Sequence, residues 1–123
     1  MPSTALFVVY MTVMGAALGC FWRAFFVRRF TPIHKRWGIT GVALDLGGTA
    51  AVLVAGKILG WHVDERSHEI VLWHRGFAYA ASAMVVLVGL SGWFRWRIHT
   101  RLWPVFLPLY TTTYALALCG YWP

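Results

Sequence analysis

The sequence predicts an all-α membrane protein, an antiparallel up-down bundle of four transmembrane helices with both termini extracytoplasmic. Of its 123 residues, 59% are hydrophobic and 12% are charged, whereas soluble domains carry about 25% charged residues. Four apolar segments each reach the length of about 20 residues that a helix needs to cross a hydrocarbon core. The composition therefore excludes an ordinary soluble enzyme and leaves room for one membrane domain over residues 1–123.

The apolar runs define four helices in order along the chain. They extend over residues 5–27, 37–61, 73–94 and 102–122. Backbone polar groups within lipid must be satisfied inside their own segment, so each run is predicted to be helical. Only Arg23 interrupts the first run, and Asp45 and Lys57 interrupt the second. Short connections predict that consecutive helices are antiparallel neighbours.

Small residues in the second run indicate its place in the bundle. Glycine lets the backbones of membrane helices approach one another closely. The second run contains four glycines in its first half, Gly38, Gly41, Gly47 and Gly48. We therefore expect the second helix to lie in the interior of the bundle.

Tryptophan marks the predicted helix ends. An indole ring placed there can be buried and still hydrogen-bond at the level of the lipid headgroups. All eight tryptophans fall at or near these ends: Trp22, Trp37, Trp61, Trp73, Trp93, Trp96, Trp103 and Trp122. This distribution supports the four boundaries independently of hydropathy.

Basic residues predict the orientation. Eight of the eleven lie in or beside the first and third connections, whereas the middle connection carries three basic residues offset by three acidic ones. An excess of Lys and Arg marks the cytoplasmic side, so residues 61–75 are expected to be extracytoplasmic. We predict a multi-pass protein of a bacterial inner membrane that contacts the lipid bilayer. The positive charge is explained by topology, and no nucleic-acid partner is predicted.

The five histidines are the candidate ligands. His34 and His99 are predicted at the cytoplasmic starts of the second and fourth helices, and His62, His68 and His74 gather on the outer side among carboxylates. Imidazole with carboxylate suits copper, zinc or iron. The 28 residues from His34 to His62 amount to about 42 Å of helix, so two separate sites are predicted. The alternative is that interfacial histidines only place a polar tip among headgroups.

Asp45 is the charged residue set deepest in the predicted membrane spans. It lies roughly two turns into the second helix, where an ionised carboxylate costs about 3 kcal/mol unless it is paired. We therefore expect it to face the bundle interior. Its function would be a proton relay or an ion pair with Arg101 or Arg23. The structural alternatives are a hydrogen bond to a Tyr or Thr of a neighbouring helix and neutralisation by a proton.

The two cysteines carry no recognisable chemistry. Cys20 and Cys119 lie within apolar runs near opposite ends of the chain. No CxxC or Cys/His spacing accompanies them, so no zinc site is predicted. We interpret both as small apolar packing residues, and their spacing leaves their redox state open.

Several segments together resemble a known family. They are IHKRWGITGVALD, WHV, HRGFAYA and IHTRLWPVFLPLYTTTYALALCGYW. Over about positions 33 to 122 the chain resembles the small four-helix, four-histidine membrane proteins of uncharacterised function that are linked to maturation of haem-copper cytochrome oxidases. The most specific part is the last segment, where a histidine, a basic residue and a proline precede a Tyr/Thr run. Carried over by position, the four histidines would be His34, His62, His74 and His99, and His68 would be extra.

The resemblance implies a non-enzymatic protein that handles copper or haem b. It would act as an assembly factor or accessory subunit of a respiratory oxidase, with that larger membrane complex as its partner. The proposed cofactor-binding pairs are His34 with His99 inside and His62 with His74 outside. The outer cluster of imidazoles and carboxylates, independently of the resemblance, makes His68 a candidate metal ligand together with His62 and His74. Ligation requires neutral imidazoles, so occupancy is expected to fall below about pH 6.

Two other functions stay open at this point. One is an electron-transfer subunit with one or two b-type haems that exchanges electrons with quinone, since bundle cores often hold cofactors between facing helices. The other is a structural subunit whose aromatic girdle packs against a larger complex, with a histidine available to ligate a pigment. Hydrolytic catalysis is not predicted, because no Ser/His/Asp, phosphate-loop or zinc-protease spacing is present.

Overall fold

Four long helices make up most of the chain. The computed structural model describes residues 2–121. Helix α1 spans Pro2–Phe26, α2 spans Thr31–Ile58, α3 spans His68–Trp93 and α4 spans His99–Tyr121. Each of them is long and apolar enough to cross a membrane. The prediction of an all-α bundle of four membrane helices is confirmed.

All four helices begin earlier than their apolar runs, α1 by three residues. Helix α2 begins at Thr31 instead of 37, α3 at His68 instead of 73, and α4 at His99 instead of 102. The added turns contain polar and basic residues, which a hydropathy criterion leaves out but a helix end projecting from the apolar layer accommodates. Proline in the first turn supports the early start of α2, and the Ser67 hydroxyl caps α3. Four of the five candidate histidines, His34, His68, His74 and His99, therefore lie on helices, whereas His62 lies in the connection between α2 and α3.

The helices form two antiparallel hairpins that pack side by side. Helix α1 pairs with α2 and α3 with α4; α1 also contacts α4, and α2 contacts α3, so α2 and α4 lie on a diagonal. Residues 27–30 and 94–98 connect the helices of each hairpin at one end, which we call the basic end because of its arginines. Residues 59–67 lie at the opposite end, which we call the middle-loop end.

Aromatic side chains form the core between α1 and α4. Phe21 and Phe106 are almost completely buried, with ring centroids 4.9 Å apart. Tyr110 packs on Phe21 at 5.1 Å, and Trp103 packs on Phe106 at 5.6 Å. In lipid, where apolar surface gains nothing by leaving the acyl chains, helices are held together mainly by such van der Waals contacts. Edge-to-face ring pairs add further stabilisation.

The prediction that α2 lies in the bundle interior is wrong. Only three of its residues are buried, and its apolar span is the least buried of the four, at 11%. Gly41 and Gly48 do face side chains of α1, but a Cβ added at Gly38 or Gly47 would meet no atom within 4 Å. A run of glycines shows where a close approach is possible, but it does not show whether a neighbour is present at each position.

The variant Gly41→Ala tests the close contact between α2 and α1. A Cβ at this position would lie 2.7 Å from the Phe21 ring, which is held in the core. Overpacking costs about 1–3 kcal/mol, and Ala recovers about 1 kcal/mol over Gly in a helix. We expect the free energy of unfolding in mixed detergent micelles to fall by about 1 kcal/mol. The control Gly38→Ala should be neutral or stabilising, and equal effects of the two variants would contradict this contact.

The tryptophans lie at or near helix ends, as predicted, except that Trp122 falls outside the described residues. Trp37, Trp73 and Trp93 are exposed on the bundle surface, as an interfacial belt requires. Trp103 is different, because only 7% of its surface is exposed. Its indole lies inside the bundle beside a candidate histidine.

Candidate functional site

His34 and His99 lie against each other at the basic end of the bundle. Their ring centroids are 5.9 Å apart, with an angle of 76° between the ring planes. Trp103 lies 5.8 Å from His34 and 5.7 Å from His99. These residues come from α2 and α4, which do not pack directly on each other. The prediction that these two histidines share one site is consistent with this arrangement.

A backbone carbonyl of α1 orients His34. Its Nδ1 lies 2.8 Å from the Ala24 carbonyl oxygen. A carbonyl can only accept, so Nδ1 carries the proton and donates it. Ala24 belongs to the last turn of α1, where carbonyls lack partners within the helix. In the neutral imidazole, Nε2 of His34 is therefore left with a lone pair.

Both ring nitrogens of His99 are hydrogen-bonded. The Trp103 indole N–H donates to Nε2 at 2.9 Å. Nε2 is therefore unprotonated and Nδ1 carries the proton, with the Val88 carbonyl oxygen and the Ser91 hydroxyl both at 3.1 Å. The ring can pack this closely on α3 because Gly92 has no Cβ. A Cβ at that position would lie only 2.8 Å from the ring.

His74 follows the same pattern from the middle-loop end. Its Nδ1 donates to the Thr113 carbonyl oxygen of α4 at 3.0 Å, and its ring packs against Tyr121 at 5.7 Å. His34, His74 and His99 thus each donate Nδ1–H to a backbone carbonyl of another helix. Metal-ligating histidines almost always hold their second nitrogen in this way, which fixes the tautomer and the ring orientation.

The other two histidines lie apart from His74. The side chain of His62 is 82% exposed and lies 3.9 Å from Asp64. His68 pairs with Glu65 at 2.9 Å on the surface. No hydrogen bond, ion pair or ring-to-ring contact joins these rings to His74 in the part of the chain that the structure describes. Likewise, among residues 2–121 no three His, Cys, Asp or Glu side chains come close enough to hold one metal ion.

Asp45 is buried, and a tyrosine is its partner. The residue is 6% exposed, and its carboxylate accepts a hydrogen bond of 2.6 Å from the Tyr110 hydroxyl. This bond crosses the diagonal of the bundle from α4 to α2. Arg23 and Arg101, the ion-pair partners considered from the sequence, are exposed, and no salt bridge between residues 2–121 involves Asp45. Of the alternatives considered, the structure shows the hydrogen bond to a neighbouring Tyr.

A cavity of about 90 Å³ adjoins the Asp45 carboxylate. A cavity of this size holds a few water molecules. All four helices contribute to its lining. Its polar side chains are Tyr10, Asp45, Thr49, His74, Ser82, Tyr110, Thr113 and Tyr114, and the sulfur-containing side chains of Met11 and Met14 complete one wall. His74 and Asp45, which were predicted as separate sites, thus border one cavity.

The two cysteines show no pairing. Both are free thiols; Cys20 is buried within α1, and Cys119 is exposed on α4. Neither lines the cavity. The packing role predicted for them fits Cys20, whereas Cys119 lies on the outer surface of the bundle.

Sequence reasoning missed Trp103 and Tyr110. Trp103 was assigned to the interfacial belt because it lies near a helix end. Its spacing of four residues from His99 places the two on one helix face, and that signal could have identified the contact. No spacing links Tyr110 to Asp45, because their contact depends on how two diagonal helices are rotated.

The two candidate sites offer different donor atoms. The basic end presents imidazole nitrogens, whereas the polar atoms around the cavity are mainly oxygen atoms. Comparison of the chain with protein-family models, curated proteins and solved structures finds no match. Function is therefore inferred from the geometry of these side chains and from the resemblance of its sequence segments.

Proposed function

We propose that this chain is a non-enzymatic, multi-pass protein of a bacterial inner membrane that holds one copper ion between His34 and His99. It would serve as an assembly factor or accessory subunit of a respiratory oxidase. The observation that carries the proposal is the contact of two imidazoles from different helices, each with Nδ1–H held by a backbone carbonyl. Imidazole is a good copper ligand. The resemblance of the segments around both histidines supports the link to an oxidase.

The spacing of the two ring centroids is compatible with a single small ion shared by both imidazoles. A metal–imidazole bond of about 2 Å places the centroids of two opposed ligand rings about 6 Å apart. The observed separation is 5.9 Å. Nε2 of His34 has a lone pair available, and Nε2 of His99 becomes available when the Trp103 indole moves away.

A haem does not fit between the same two rings. Axial ligation by two histidines requires a flat porphyrin between the imidazoles. Trp103 instead packs against both rings, and α3 approaches His99 closely at Gly92, so side chains and backbone fill the sides of the pair that a porphyrin would occupy. The packing therefore favours copper over haem b as the ion or cofactor handled at this end.

The distribution of charge supports the proposed orientation. Eight of the eleven basic residues lie at or near the basic end, which the positive-inside rule assigns to the cytoplasm. Both termini would then be extracytoplasmic, and the copper site would lie near the cytoplasmic face. We propose that the larger respiratory complex receives the ion from this side.

Copper titration of the purified full chain tests the proposal. In detergent, with a Cu(I) chelator as competitor, we expect one ion per chain. His34→Ala or His99→Ala should weaken binding at least about 100-fold, because a two-coordinate site loses half of its ligands. Trp103→Phe removes a competing hydrogen bond of about 1 kcal/mol and should tighten binding about 5-fold.

The matched control is His68→Ala, which removes an exposed imidazole and should leave copper affinity unchanged. In cells that lack the native gene, wild type and His68→Ala should restore the absorption spectrum of the mature oxidase, and His34→Ala should not. A chain that binds no copper, or whose affinity is unaffected by His34→Ala and His99→Ala, would contradict the proposal.

A further inference from the structure

We propose that Met11, Met14 and His74 form a second Cu(I) site, in the cavity within the membrane-spanning part of the bundle. Both methionines are 6% exposed, and both line the cavity together with His74. They lie three residues apart on one face of α1, and His74 belongs to α3. The site shares no residue with the proposed copper site and does not rest on it.

Contacts with α4 place the three donors at neighbouring levels of the bundle. The Met14 sulfur lies 3.6 Å from the Tyr110 hydroxyl oxygen, and Nδ1 of His74 lies 3.0 Å from the Thr113 carbonyl oxygen. Tyr110 and Thr113 are separated by about 4.5 Å of helix. Because α1 runs antiparallel to α4, the step from Met14 back to Met11 leads toward the level of His74. The three side chains therefore border the cavity within about one helical turn.

The donor atoms have lone pairs available. His74 donates its Nδ1–H to a carbonyl, so Nε2 of the neutral imidazole is left with a lone pair. The Tyr110 hydroxyl gives its one proton to Asp45 at 2.6 Å, so its longer contact with the Met14 sulfur leaves that sulfur available. Other hydroxyls of the lining already donate to backbone carbonyls. Sulfur and imidazole are thus the atoms that can accept a metal.

The donor set selects the class of metal. Thioether sulfurs are soft ligands that favour Cu(I), and imidazole also suits copper. Calcium and magnesium require several oxygen ligands. All three donors are neutral, so the site does not depend on the protonation state of Asp45, and a monovalent ion carries the smallest charge into the membrane. The cavity of about 90 Å³ leaves room for one ion, and the flexible methionines can turn toward it.

This site should be the weaker of the two copper sites. Two flexible methionine side chains have to be fixed when the ion binds. The rings of His34 and His99, in contrast, are already oriented by backbone carbonyls. A chelator that competes for the first ion should therefore keep the cavity free of copper. The second equivalent is expected to bind only when no chelator is present.

X-ray absorption at the copper edge tests this site. The full chain, with Cys20→Ala and Cys119→Ala to remove both thiols, is loaded anaerobically in detergent with one and then two equivalents of Cu(I). The first equivalent should show nitrogen ligands at about 2.0 Å, and the second should add sulfur ligands at about 2.3 Å. Met11→Leu and Met14→Leu conserve side-chain volume. In titration calorimetry each should weaken binding of the second ion at least about 10-fold, since even changes around a ligand cost that much.

Two matched controls make the same changes away from the cavity. Met84→Leu alters a methionine that packs on the aromatic core and does not line the cavity. His68→Ala removes an imidazole whose side chain is 73% exposed. Both variants should keep the second ion, whereas His74→Ala should weaken it as the two methionine variants do.

The two copper sites can fail separately. Sulfur ligands seen at one equivalent in the double variant His34→Ala/His99→Ala would support the cavity site, whatever happens to the first site. A chain that binds copper through nitrogen alone, even at two equivalents, would contradict the cavity site and leave the first site intact. Sulfur ligands that persist in the double variant Met11→Leu/Met14→Leu would also show that the proposal is wrong.

Discussion

Replacing Tyr110 with phenylalanine should lower the free energy of unfolding by about 3 kcal/mol. The ring and its contacts with Phe21 and Phe106 stay, so the variant removes little more than the hydroxyl. That hydroxyl is the hydrogen-bond donor to the buried Asp45 carboxylate, at 2.6 Å. A buried carboxyl group that loses its donor costs more than an ordinary hydrogen bond, because the desolvation of its acceptor oxygen is no longer offset. Unfolding in mixed detergent micelles measures the loss.

Tyr114→Phe is the matched control for this variant. It removes the same atom one turn further along α4, where the hydroxyl donates to the Met11 carbonyl oxygen at 3.2 Å. A neutral hydrogen bond of that kind contributes about 1 kcal/mol. In an Asp45→Leu background the cost of Tyr110→Phe should also drop to about 1 kcal/mol, since no carboxylate is left unpaired. A cost that stays the same in that background would show that the loss does not come from the Asp45 carboxyl group.

Phe106→Ala is expected to destabilise the bundle by about 3 kcal/mol. The Phe106 side chain has no exposed surface. It packs against Phe21 from α1 and against Trp103 and Tyr110 from its own helix. In a soluble core such a truncation costs about 3–5 kcal/mol, of which part is the transfer of apolar surface from water. In a membrane the apolar surface is not transferred from water, so only the lost packing contacts lower the stability. The lower end of the range therefore applies.

The same substitution at an exposed ring provides the comparison. Phe26 is 68% exposed at the end of α1, and Phe26→Ala should change stability by less than about 0.5 kcal/mol. Phe106→Ala should in addition loosen the contact between α1 and α4, which Trp22 reinforces by donating to Thr111 at 3.2 Å. Similar losses in the two variants would show that the α1–α4 aromatic core does not hold the bundle together.

The positions of the histidines along the chain were predictable, but their surroundings were not. The sequence places His34 and His99 near helix starts at one end, and there the structure brings their rings into contact. The same reasoning grouped His62, His68 and His74, yet His74 turns into the bundle while the other two stay at the surface. The three histidines are close in sequence, but α3 begins at His68. The helix therefore fixes the direction in which the His74 side chain points, whatever the loop before it does.

The apolar runs alone determined the number of helices, and the basic residues alone predict their orientation. Both are properties of single segments, because a span must satisfy its own backbone and lie in lipid whichever neighbour it meets. The tertiary structure decided that α2 is largely exposed, that Trp103 is buried against His99, and that Tyr110 reaches Asp45 across the bundle. The reason is physical: in a membrane helix the lipid-facing and the packed surfaces are both apolar, so hydropathy does not encode rotation about the helix axis.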